Sequence, residues 1–132
     1  MFRTIEDFRT AWDYEAEMTG KALLNLTDVS LGQRVTEDGR TLGFIGWHLA
    51  VTLREMLGKV GLTIDAPAED AECPTSAAEI ARLYGIGGKS VGDEVSNNWT
   101  AETLLRQAGL RVPGIYGPAK EEWAAFGAPA AP

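Results

Sequence analysis

Few residues in this chain could do chemistry, and they are easily named. The sequence of 132 residues holds one histidine, His48, and one cysteine, Cys73. An imidazole that titrates near neutrality can shuttle a proton or ligate a metal. A protein metal site takes about three or four ligands, so His48 would need carboxylates beside it. Glu55 lies seven residues further on, on the helical strip that also carries Phe44, His48 and Thr52. Glu15, upstream, falls on the inward side of another helical pattern, where a carboxylate requires a partner such as Arg54 or lines a pocket. Glu15 and Glu55 are therefore the candidate catalytic bases. The plainer reading of His48 is a half-buried ring whose nitrogens are satisfied by a nearby carboxylate or carbonyl.

Two other features invite chemistry and support less of it. Cys73 sits between Glu72 and Pro74, with no cation to lower its pKa, and reads as a bystander thiol in a reducing compartment. The run Gly87-Gly88-Lys89-Ser90 resembles the end of a phosphate-binding loop. That pattern requires glycine at position 83, where this chain has Leu83, and a preceding strand, which is missing from the pattern. Close packing of helices accounts for these glycines better.

The elements that must position these groups are helical. No stretch alternates with period two over a strand's length, so the expected class is all-α. A first helix runs from Thr4, its N-cap, to about Leu26, with Phe8, Trp12, Thr19, Leu23 and Leu26 inward. Polar residues, with Gly32 and the Asp38-Gly39 turn signal, then break the chain. The second helix begins near Thr41 and ends near Gly58 or Gly61. Its apolar period, Leu42, Ile45, Leu49, Leu53, Met56, Leu57 and Val60, predicts a buried stripe with His48 at its edge. An acidic, proline-containing connection from Ile64 to Thr75 leads to a capping box at Ser76 and Glu79, and a third helix starts at Ala77. After Asn97-Asn98 the pattern predicts a short fourth helical segment capped by Thr100 and stopped by Gly109. An ordered tail rich in Pro and Gly comes next, anchored by Ile115, Tyr116 and Trp123.

Composition narrows the function classes. At 45% hydrophobic residues the chain fits one domain over residues 1–132. A net charge of -7 with no basic run argues against nucleic acid as a partner. No apolar run is long enough for a membrane span and the N-terminus lacks a signal-peptide core, so the expected location is cytoplasmic.

Several segments together resemble the DinB-like (DinB/YfiT) family. RTLGFIGWHLAVTLREMLGKVGL resembles its second helix, where a tryptophan-histidine pair follows a small-residue turn, and WDYEAEMTGKALLNLTD its first. PTSAAEIARLYG and NNWTAETL resemble the third helix and the connection after it, and LRQAGLRVPGIYGPAKEEW the C-terminal tail. The resemblance implies a four-helix bundle with zinc or nickel held by three histidines, the first matching His48. The other two come from a fourth helix that leads into the Arg-Gln-Ala-Gly segment, and here Leu104-Leu105-Arg106-Gln107 passes straight into the tail without it. The omitted piece is about one bundle helix with its loop.

The residues present thus describe a DinB-like protein of unassigned activity, poor in metal, with no cofactor expected unless the zinc or nickel site is completed. An incomplete bundle leaves an apolar groove, here beside Trp12, Trp47 and Thr52, that a second copy would cover as a homodimer or a small-molecule ligand would fill. The alternative implied by the family is a divalent-metal-dependent transferase of low-molecular-weight thiols, or a hydrolase. Its metal site would be completed by residues outside this chain.

Overall fold

The computed structural model describes residues 3–107, and every regular element among them is helical. Helix α1 spans Ile5–Leu24, α2 Leu42–Gly58 and α3 Ala77–Gln107, with one 3-10 turn at Ser30–Gly32. Among the described residues, no helix is long and apolar enough to cross a membrane. Each start has a local cause. Thr4 accepts from the Asp7 amide through its hydroxyl while the Asp7 carboxylate accepts from the Thr4 amide, a complete capping box. The Thr41 hydroxyl accepts from the Phe44 amide at the head of α2. At α3 only half of the expected box forms. Ser76 accepts from the Glu79 amide, but the Glu79 carboxylate turns outward to grip Arg82 through two hydrogen bonds. The chain leaves α2 through Gly61 at φ +87°, a left-handed conformation that glycine adopts without steric cost.

Helix α3 is the element on which the other two are built. Both α1 and α2 pack against it, and the C-terminal end of α1 reaches α2, where Leu23 lies beside Gly46. The glycines of α3 and α2 set how close they come. A Cβ on Gly87 would lie 2.9 Å from Leu53 and 3.1 Å from Ala66, and one on Gly92 3.1 Å from Arg9 and 3.2 Å from Trp12. Gly46 on α2 likewise faces Leu23, Leu26 and Ile80. These are close-packing glycines, and Gly87 and Gly88 are buried inside a helix where no phosphate loop exists. Lys89 pairs with Asp93, and the Ser90 hydroxyl accepts from the Asp65 amide.

Two apolar clusters result. One gathers Leu23, Trp47, Ala50, Val51, Ile80 and Tyr84. The other joins Leu62, Ile64, Val91 and Val95, with Phe8 and Trp12 packed against them. The connection after α2 thus contributes two buried residues to the core before it becomes solvated.

Two sequence expectations change here. The buried side of α2 consists of Gly43, Gly46, Trp47, Ala50 and Val51, whereas Ile45, Leu49 and Met56 of the expected stripe are exposed. Helix α2 is apolar nearly all round, so periodicity offers two candidate faces. Close approach selects the one bearing the small residues. Secondly, the expected fourth segment is helical but continues α3 without a break, through Leu104 and Leu105 to Gln107. Asn98 does not interrupt the helix, because its side-chain amide folds back to donate to the Glu94 carbonyl at 2.8 Å. The expected tail anchors Ile115, Tyr116 and Trp123 lie outside the described residues.

Candidate functional site: the outer face of the second helix

Facing Gly46 and Trp47 inward turns the other side of α2 to solvent. That outer side carries Phe44, Ile45, His48, Leu49, Thr52 and Met56, in adjacent rows spaced by helical turns. Phe44 is 47% exposed, Ile45 44%, Leu49 39% and Met56 59%. His48 lies among them, itself exposed. Its ring stacks on Phe44 with centroids 6.0 Å apart and planes 14° from parallel, and the Arg40 guanidinium sits over the same Phe44 ring, 4.9 Å from its centroid. Thr52, half-buried one turn on, spends its hydroxyl on the Leu49 carbonyl at 3.1 Å.

The family's metal does not fit the donors His48 has in this chain. The positions a helical turn away are Phe44, Ile45, Val51 and Thr52, none of them an imidazole, thiolate or carboxylate. Glu55 shares the strip but lies seven residues along, about 10 Å on the helix axis, and its carboxylate holds Lys59 at 3.0 Å. Glu15 is exposed on α1 rather than inward, and its proposed partner Arg54 donates to the Ala66 carbonyl. The reason is angular: α1 seats Trp12, Ala16 and Leu23 against the core, which swings Glu15 toward water. Among the described residues, no three His, Cys, Asp or Glu side chains converge.

The three groove residues are not brought together. The Trp12 indole donates to the Gly88 carbonyl at 2.7 Å in the cluster with Phe8, while the Trp47 indole donates to the Ala71 carbonyl at 3.1 Å in the other cluster. Trp47 and Phe44 instead line a cavity of about 480 Å3 with Leu31, Gly43 and Cys73. There burial pushes the Cys73 thiol up, the opposite of what an activated nucleophile needs. Sequence reasoning missed Arg40. The signal was available, because Arg40, Phe44 and His48 are spaced four apart.

Comparison with known proteins places this geometry. No family model matches the sequence. The chain is 38% identical to the uncharacterized protein YrdA of Bacillus subtilis (strain 168), an alignment covering 96% of each chain. That alignment runs over 161 positions and this chain has 132 residues, so at least 29 positions of the relative face no residue here. Among solved structures, the chain is similar to a DinB-like protein from Bacillus cereus ATCC 10987, with a TM-score of 0.61 and 29% identity over 88% of this chain and all of the other.

Proposed function

The chain belongs to the DinB-like family, and from that premise we propose that it acts as a binding and self-associating module through the outer face of α2, and not as a metalloenzyme complete within one chain. One observation carries this reading: the face that bears the sole histidine is apolar and uncovered among the described residues, and it offers no further metal donor within a helical turn. The positions missing relative to YrdA amount to a helix and a loop, the size of element that covers such a face in a four-helix bundle. An apolar surface of this kind favours contact with another apolar surface.

The family's other reading, metal-dependent transfer of a thiol or hydrolysis, requires donors beyond those that surround His48 among the described residues. Elemental analysis of purified protein after dialysis against zinc or nickel separates the two. We expect well below one ion per chain, with His48→Ala leaving the value unchanged. A stoichiometric ion lost on His48→Ala would overturn the proposal.

A further inference from the structure

Helices α1 and α3 enclose a groove of about 670 Å3 to which α2 contributes no wall. Its floor is made of small residues, Ala16 and Gly20 from α1 with Ala81 and Gly85 from α3. Small residues by themselves call for no ligand, because Gly87 and Gly92 of the same helix serve close packing. Gly20 and Gly85 do not, since a Cβ on either would meet nothing within 4 Å. Each stands inside a helix, where glycine is weaker than alanine, and no described neighbour uses the space it leaves.

Tyr84 gives a second and independent sign. It lines the groove, is only 5% exposed, and packs its ring with Leu23 and Ile80 in the first apolar cluster. A phenol buried to this degree ordinarily finds a hydrogen-bond partner. The Tyr84 hydroxyl has none among the described residues, yet it is not sealed from solvent. The small part of Tyr84 left open therefore includes its oxygen, and the groove that Tyr84 lines is where it opens.

The rim is charged but already balanced. Arg9 pairs with Asp13 and Asp93, and Lys21 with Glu17. Arg82 pairs with Glu79, and Lys89 with Asp93. A ligand of either net charge would have to compete with one of these pairs, whereas an uncharged one leaves them intact.

We propose that this groove binds an uncharged, mainly apolar small molecule bearing a carbonyl. The Tyr84 hydroxyl donates to that carbonyl, which would otherwise lose its water without compensation. The body of the ligand lies against Gly20 and Gly85 and leaves water there. The volume falls within the range of small-molecule sites. This site is separate from the outer face of α2 and does not depend on it.

Three naphthalene compounds test the proposal: the ketone acetonaphthone, its hydrocarbon analogue isopropylnaphthalene, and naphthoate. In amide correlation spectra of the full chain, the ketone should shift the Gly20 and Gly85 resonances. Tyr84→Phe should weaken the ketone about tenfold and leave the hydrocarbon unchanged, a split that a merely structural role would not produce. Gly85→Leu, which fills the open space, should abolish binding of both while far-ultraviolet circular dichroism stays unchanged. Naphthoate should bind less tightly than the ketone. Unmoved Gly20 and Gly85 resonances at the solubility limit of the ketone would overturn the inference. So would the same change in affinity for ketone and hydrocarbon in Tyr84→Phe, binding that survives Gly85→Leu, or a preference for naphthoate.

Discussion

At the residue scale, what a side chain can do here depends on which way its helix is turned. His48 is the chain's only imidazole, and its neighbours a turn away are Phe44, Ile45, Val51 and Thr52, of which Phe44 stacks on its ring. The glycines show the same dependence and yield a paired prediction. A Cβ on Gly43 would lie 3.0 Å from the Leu31 carbonyl oxygen, which is backbone and cannot swing aside, whereas Gly85 has nothing within 4 Å. Gly43→Ala should cost about 1–3 kcal/mol by overpacking. Gly85→Ala should add up to about 1 kcal/mol by helix propensity. Urea midpoints of the two variants should shift in opposite directions. A second prediction concerns acid. The Asp93 carboxylate is held below the usual carboxylate range by Lys89 first and by Arg9 second, the latter 2.9 Å away. A carboxylate depressed in the folded state contributes stability above its unfolded pKa and loses it as pH falls through the folded one. Melting temperature should therefore fall below about pH 4. The gap between the native chain and Asp93→Asn should close over the same interval.

At the element scale, capping and periodicity left readable marks. Thr4, Thr41 and Ser76 were legible as helix starts because each hydroxyl answers an orphan amide nearby in sequence. Thr4→Ala should cost about 1 kcal/mol, read from a shift in the urea midpoint. The inward face of α2 was not legible, because leucines and isoleucines occupy one side and Trp47 with small residues the other. Only contact with Leu23, Leu26 and Ile80 chooses between them. That choice predicts unequal tolerance. Trp47→Ala should destabilise the fold by about 3–5 kcal/mol, while Ile45→Ala, on a half-exposed site, should cost far less in the isolated chain. Comparable losses for the two in dilute solution would mean that the helix is turned the other way.

At the scale of the whole molecule, three helices leave one apolar face of α2 without a cover among the described residues. Association that covers it couples to folding, so the thermal midpoint should rise with protein concentration and the rise should vanish in Leu49→Glu. The sequence by itself determined the helical class, the three starts and the count of one imidazole and one thiol, since periods and caps are local and counts are compositional. Family membership was likewise carried by contiguous motifs. Which side of α2 faces the core, the outward swing of Glu15, the separation of Trp12 from Trp47 and the unbroken run of α3 past Asn98 were decided by tertiary structure alone. Each depends on how near one backbone can come to another, and that distance is fixed by residues far apart in the chain, such as Gly46 with Leu23 and Gly92 with Trp12.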